Sequence, residues 1–274
     1  MSTTENKQQR FGGQLKVWRN RRRLSQLEFS LDAEISQKHL SFIETGRSTP
    51  SRDMVIRLTE CLDIPLRERN TLLLAAGYAP LYLARELDDP SLKAAREAID
   101  LLLTSHEPYP AIAVDRHWNM VASNAAITPF LSVVREASLL QPPVNVLRLS
   151  LHPGGLAPFI SNLGSWKRHL LDRLGHQIEV TADPALSELC AELETYPAGD
   201  GASDDASGDT SGEALEYSDV FVPFELDMPS GKLAFFSTIT VFGTPVDVTL
   251  SEIAIESFFP ADAATRSALA GAQA

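Results

Sequence analysis

The stretch from Ser25 to Gly46 constrains the fold of this chain more than any other. Ser25 and Glu28 have the spacing of a capping box, in which each side chain satisfies a free amide of the other residue. Ser36 has the position of a second N-cap, and Gly46 suits the left-handed residue that ends a helix. The pattern therefore predicts two helices of about eight to ten residues, separated by a tight turn.

Further helix signals lie on both sides of this pair. Pro50 and Ser51 precede a segment whose apolar residues recur at helical spacing, and Pro65 and Gly77 bracket another. Strand-like alternation does not occur here. We predict a five-helix domain over residues 8–80, with the two short helices as a helix-turn-helix, an arrangement whose second helix enters the major groove of duplex DNA.

Charge is distributed unevenly along the chain. Residues 1–80 contain 13 Lys or Arg and 9 Asp or Glu, a net charge of +4, whereas the remainder contains 11 basic and 27 acidic residues, a net charge of −16. The overall formal charge of −12 therefore hides a basic head, which suits nucleic acid, and an acidic body, which does not.

The head also resembles a known family. The residues that carry the resemblance match in register over about 65 positions; they are Leu15, Arg19, Leu24, Ser25, Gln26, Ser36, Ile43, Glu44, Gly46, Pro50 and Ser51. They are similar to the Cro/xenobiotic-response-element (XRE) transcription regulators, which have a lambda-repressor-like fold. The resemblance implies a buried pair between Arg19 and Glu44. Glu34 stands where the family prefers glycine, and a positive φ there would cost about 1 kcal/mol.

Eight residues are predicted to contact DNA. The first turn of the second helix suits base edges, because Gln pairs with adenine and Lys with guanine; hydroxyl and basic side chains elsewhere suit phosphates. The set is Gln26, Ser36, Gln37, Lys38, Ser41, Phe42, Thr45 and Arg47. Phe42 can touch a thymine methyl or simply pack. The run from Arg21 to Arg23 fits either phosphate contacts or an ordinary solvated helix end.

A helix is predicted to link the head and the body. Residues 81–105 form this linker, and Asp89, Pro90 and Ser91 mark the start of a helix with one apolar side. That side can pack on the body or on a second copy of the chain. The helix over 90–104 is our candidate dimer interface.

The body alternates between strand and helix signals. Two short strands flank a turn at Asp115 and Arg116, several helical segments follow, and three strands are predicted up to about residue 255. An acidic segment, 198–218, has too few apolar residues to order itself and is predicted to be a mobile loop, with protein docking as the alternative. Two strands, helices and three strands form the order of a PAS-type domain, with a five-stranded antiparallel sheet beside helices.

The body resembles a second family. The stretches PAIAVDRHWNMVASNAA and GSWKRHLLDRL are similar to the ligand-binding domain of MmyB-like transcription regulators, over residues 106–260, with 261–274 left as a tail. This resemblance implies a PAS-like sensor that binds a small apolar ligand, with a fatty acid as the first candidate.

Candidate ligand contacts are of two kinds. Apolar side chains could line a pocket, and basic ones could bind a carboxylate through charge-assisted hydrogen bonds, although each also fits an ordinary core or surface role. The set is Trp118, Phe130, Phe159, Trp166, Leu170, Phe235 and Ile239, with Arg148, His152 and His169 as the polar partners.

Signs of catalysis are missing from the sequence. It contains no nucleophile elbow, phosphate-binding loop or zinc-protease motif, and its histidines do not form a convincing metal site, so we predict no enzyme, metal or cofactor. Cys61 and Cys190 are far apart and fit two reduced thiols. The expectation is a cytoplasmic, homodimeric, ligand-responsive regulator that binds double-stranded DNA and no membrane. The alternative is a DNA-binding protein whose body is a docking or dimerisation module without a small-molecule ligand.

Overall fold

A computed structural model describes residues 3–198, 222–243, 245 and 247–271. The chain forms two compact units. The first comprises Met1–Glu86 and two short later segments, and the second comprises most of the chain from Leu87 onward. The acidic segment predicted over 198–218 lies outside the described residues from position 199 onward.

Five helices form the first unit up to Glu86, as the sequence predicts. Their apolar faces meet in a core that includes Phe11, Leu15, Phe29, Leu40 and Ile43. The helices are α1 (Thr3–Arg21), α2 (Gln26–Asp32), α3 (Gln37–Glu44), α4 (Arg52–Cys61) and α5 (Leu66–Ala75). Helices α2 and α3 are the predicted helix-turn-helix pair.

The predicted caps of α2 and α3 are confirmed. The Ser25 hydroxyl accepts a hydrogen bond from the Glu28 amide at 3.2 Å, and the Ser25 amide donates to the Glu28 carboxylate at 2.7 Å. Ser36 accepts from the His39 amide at 3.1 Å. Gly46 follows α3 with a φ of +72°. Local hydrogen bonds therefore fix where both helices begin, and the backbone of Gly46 ends α3.

Glu34, in the turn between α2 and α3, has a φ of +52°, a region that L-residues with a Cβ adopt at a cost. Replacing Glu34 with glycine is expected to raise the free energy of unfolding of the helical unit by about 1 kcal/mol. Amide hydrogen exchange over α3 measures this. The matched control is Glu60→Gly within α4, which is expected to lower stability by about 1 kcal/mol. A loss of protection in Glu34→Gly would contradict the prediction.

A five-stranded antiparallel sheet forms the centre of the second unit. Its strands are β1 (Ala111–Val114), β2 (Met120–Ser123), β3 (Phe224–Met228), β4 (Gly231–Val241) and β5 (Ala254–Pro260), in the spatial order β2-β1-β5-β4-β3. In the register, Phe235 of β4 faces Pro260 of β5, and Ile112 of β1 faces Glu256. The first and last strands in sequence, β1 and β5, are thus neighbours, and β5 is the central strand of the sheet.

Helices cover both faces of this sheet. On one face, Ile99 and Leu103 of α6 (Lys93–Ser105) pack against Ala111 and Ala113 of β1. The other face is covered by α7 (Thr128–Ser132), α8 (Val146–Leu151), α9 (Leu163–Thr181) and α10 (Pro184–Glu194). Every residue of β1 is buried because it lies between these layers. The helix predicted within the linker is therefore part of the second unit.

The last third of the chain differs from its prediction in two places. The third strand of the body was predicted to end near residue 255, but β5 spans Ala254–Pro260, and α11 (Val248–Ser251) occupies part of the predicted strand. The predicted tail contains α12 (Ala263–Gly271), whose buried Thr265 accepts a hydrogen bond from the Ala234 amide at 2.9 Å. Leu269 of this helix packs against the apolar cluster that contains Leu233 and Phe235 of β4.

Candidate functional site

The exposed surface of α3 carries the residues predicted to read bases. Gln37 and Lys38 are exposed in its first turn, and Ser41 and Phe42 are half-buried one turn further on. The opposite face, with Leu40 and Ile43, is buried in the core. Core packing therefore leaves the polar first turn facing outward.

Phe42 lies beside two cations on this surface. The Lys38 ammonium is 5.7 Å from the centre of its ring, and the Arg47 guanidinium is 6.0 Å from it. Cation–π attraction holds both basic side chains near the Phe42 ring. The packing role that the sequence left open for Phe42 is therefore present.

Arg19 and Glu44 form the buried pair that the head's resemblance implies. Arg19 Nε donates to Glu44 Oε1 at 2.7 Å, and Nη2 donates to Oε2 at 3.1 Å. Gln26 Nε2 also donates to Glu44 Oε2, at 2.7 Å, so part of the amide predicted for phosphate binding is used inside the fold. This cluster connects α1, the start of α2 and the end of α3.

Two further hydroxyls of the predicted set bond within the domain. Ser36 caps α3, and the Thr45 hydroxyl donates to the Ser41 carbonyl at 2.7 Å. Arg22 is also structural, since Nε and Nη2 donate to the Leu62 and Asp63 carbonyls at 2.8 and 2.9 Å. Of the arginine run, Arg21 and Arg23 stay exposed.

The second unit contains an apolar cavity. The empty space between its lining atoms is about 720 Å³, a volume that includes solvent at its open mouth. Strands β1 to β5 and helices α7 to α9 all contribute to it. The lining consists of Pro110, Ile112, Met120, Ile127, Phe130, Leu131, Val146, Leu147, Leu149, Ser150, Leu156, Trp166, Leu170, Phe224, Phe235, Glu256 and Phe258.

Four of the predicted ligand contacts line this cavity: Phe130, Trp166, Leu170 and Phe235. The Trp166 ring stacks on Phe224, with 4.6 Å between centroids, and Nε1 donates to the Ser150 hydroxyl at 3.0 Å. The wall around Trp166 is therefore held by both a ring stack and a hydrogen bond.

The other three apolar candidates lie outside the lining. Trp118 is buried, but its Nε1 donates to Gln177 at 2.8 Å and Arg173 covers its ring at 4.2 Å. Phe159 packs partly buried against the core, and Ile239 is 46% exposed on β4. Strand and helix periodicity cannot distinguish these positions from cavity walls, because periodicity indicates which face of an element is apolar and not where a cavity lies along it.

None of the three predicted carboxylate partners lines the cavity. Arg148 is committed to Glu192, donating from Nε at 2.8 Å and from Nη2 at 2.7 Å, which lowers the pKa of that carboxyl. His152 Nδ1 accepts from the Gly154 amide at 2.9 Å. Burial, and next the charge of Arg173, lower the pKa of His169, which keeps this imidazole neutral near neutral pH. These groups offer the cavity no cation.

Sequence reasoning missed both polar residues of the lining, Ser150 and Glu256. Ser150 lies on α8 and Glu256 lies on β5, where Glu256 and Phe258 share one face of the strand. That alternation is a sequence signal for Glu256 alone, and it becomes visible only when β5 is placed at 254–260.

The described residues contain no group of three or more His, Cys, Asp or Glu side chains able to hold a metal ion. Burial raises the pKa of both thiols, Cys61 and Cys190, so neither has the character of a nucleophile. Nowhere in the described ranges is there a helix with the length and apolar character needed to span a bilayer.

The fold and the two sites define a DNA-binding protein with a separate ligand-binding domain, the class of ligand-modulated transcription regulators. Residues 15–69 match the family model of the helix-turn-helix. Residues 95–271 match that of the MmyB-like transcription regulator ligand binding domain, which covers more than half of the chain. The chain belongs to the MmyB-like transcription regulators. Comparison with curated proteins found no match.

Proposed function

We propose that this protein is a cytoplasmic, sequence-specific transcription regulator whose DNA binding is modulated by a small apolar molecule held in the cavity. The observation that carries the proposal is the apolar cavity itself, within the ligand-binding domain of a chain whose other domain exposes Gln37 and Lys38 on α3. A fatty acid, which the resemblance implies, is the first ligand to test, because its alkyl chain matches the wall.

Base readout is assigned to Gln37, Lys38, Ser41 and Phe42, and backbone positioning to Gln26, Ser36, Thr45 and Arg47. Their placement on and beside α3 supports this division, since base-reading residues belong at the exposed start of a recognition helix. Phe130, Trp166, Leu170 and Phe235 are assigned to the ligand.

A homodimer is part of the proposal. Two recognition helices about 34 Å apart would read successive major grooves of a pseudo-palindromic site. Leu101 and Leu102 of α6 are 67% and 45% exposed, and they support the 90–104 helix as the dimer contact. A ligand then modulates DNA binding only if it binds one arrangement of the dimer better than another.

The test starts with the ligand. Purified full-length protein is denatured and extracted with organic solvent, and the extract is analysed by mass spectrometry. The expected result is a stoichiometric apolar compound. Adding it back to delipidated protein should change the affinity for an operator selected from random DNA.

Two variants with the same replacement sharpen this test. Leu170→Phe reduces the cavity from its wall, whereas Ile239→Phe adds the same ring at an exposed position outside it. Leu170→Phe is expected to lose most of the bound compound, and Ile239→Phe is expected to retain it. An empty extract from the wild-type protein, with no operator response to any apolar molecule, would favour the docking-module alternative.

A further inference from the structure

The polar part of the cavity wall is small, and its one ionisable residue is acidic. Among the lining residues that the structure describes, only Ser150 and Glu256 are polar, and none is a Lys, Arg or His. Glu256 is only 5% exposed, so it is a buried acid in an otherwise apolar site. Buried charges of this kind are rare unless they are paired, which makes the partners of Glu256 informative.

Both hydrogen bonds of Glu256 end on the same oxygen. Arg173 Nη1 donates to Oε1 at 3.1 Å, and the Ser237 hydroxyl donates to Oε1 at 2.9 Å. Within the described ranges, no residue donates to Oε2, yet every fully enclosed side-chain nitrogen or oxygen there has a partner. Oε2 is therefore not fully enclosed, and Glu256 is one of the residues that line the cavity.

Ser150 adds a second polar group to the wall. Its oxygen accepts from Trp166 Nε1 at 3.0 Å, and its proton is donated to no described residue. A serine hydroxyl can donate and accept at once, whereas an ionised carboxylate only accepts. The wall therefore presents one unused acceptor and one hydroxyl.

This wall disfavours ligands with a charged head group. A carboxylate would find no cation among the described lining residues, and Arg173 is already paired with Glu256, so its desolvation would not be compensated. An ammonium would meet a glutamate whose charge Arg173 already neutralises. An uncharged hydroxyl avoids both costs and can donate to Oε2.

We propose that the cavity binds an uncharged apolar molecule with a hydroxyl group that donates a hydrogen bond to Glu256, in preference to a free fatty acid. This inference rests on the proposed function, in which the cavity holds a small apolar ligand, and it specifies the head group of that ligand.

The experiment compares two probes with the same chain and different head groups. Dodecanol and dodecanoate each displace Nile red, a neutral fluorescent dye, from delipidated full-length protein. Dodecanol is expected to bind about ten- to a hundredfold more tightly, as a hydrogen bond to a charged group predicts. In Glu256→Gln, which keeps an acceptor for Arg173 and Ser237, the preference is expected to fall to about threefold or less.

The matched control is Glu192→Gln, because Glu192 is also paired with an arginine but lies outside the cavity wall. It is expected to keep the full preference for dodecanol. Equal or tighter binding of dodecanoate by the wild-type protein would overturn the head-group inference and leave the proposed function intact. An unchanged preference in Glu256→Gln would also overturn it. Failure of the dye and both probes to bind would overturn the proposed function as well.

Discussion

Replacing Arg19 by methionine is expected to lower the free energy of unfolding of the helical unit by about 3–5 kcal/mol. The side chains of Arg19 and Glu44 are only 8% and 1% exposed, so the variant leaves a carboxylate buried without its cation. Gln26 alone cannot compensate the charge. Arg19 Nη1 also donates to the Leu24 carbonyl at 2.7 Å, and this bond is lost too. Amide hydrogen exchange over α3 and α4 measures the change within this unit.

The control is an exposed ion pair of the same chain. Lys93 and Glu97 are 73% and 65% exposed, so Lys93→Met, followed by amide hydrogen exchange over its own helix α6, is expected to cost less than about 0.5 kcal/mol. A double variant, Arg19→Met with Glu44→Leu, removes both charges and is expected to be more stable than Arg19→Met alone. If Arg19→Met cost no more than Lys93→Met, the buried pair would not stabilise the fold. Operator affinity should fall with stability, since the pair connects both helices of the helix-turn-helix.

Lys38→Ala is expected to weaken operator binding by about 1–3 kcal/mol, a factor of roughly 5 to 150, and to relax the preference at one base pair. Lys38 is exposed in the first turn of α3, and its ammonium lies 5.7 Å from the centre of the Phe42 ring, on the exposed surface of that helix. Titration of the selected operator and its single-base variants measures both effects.

Lys16→Ala provides the control, because Lys16 is exposed on α1 and not on the recognition helix. Replacing a lysine that contacts only phosphate should reduce the affinity evenly across DNA sequences. It should also lower the salt dependence of binding, without changing the base preference. Unchanged affinity and unchanged base preference in Lys38→Ala would refute the assignment of α3 as the recognition helix.

The parts of the head that were predicted correctly depend on short-range chemistry. The Ser25 and Ser36 caps join residues three apart, and Gly46 ends α3 through its own backbone angle. Such signals are complete within one helical turn, so they can be recognised without knowing the rest of the fold. The Arg19–Glu44 pair spans 25 residues, and it came from the family resemblance.

The cavity could be predicted only in part. Phe130, Trp166, Leu170 and Phe235 were recognised as large apolar residues of a ligand-binding domain, but the same criterion selected Ile239, which is exposed. Arg148, His152 and His169 lie near the helices in sequence, which is the basis for predicting them as carboxylate partners. The structure pairs Arg148 with Glu192 instead, 44 positions away.

By itself, the sequence determined that a basic helical head precedes an acidic mixed domain, and where the two helices of the head begin. These properties follow from local hydrogen bonding, helical periodicity and charge, which the chain carries at neighbouring positions. Only the tertiary structure decided that β5 places Glu256 in an apolar wall, where the hydrogen bonds from described residues reach one of its two carboxylate oxygens. A buried acid looks like a surface acid in sequence, because its environment is made by strands and helices distant along the chain.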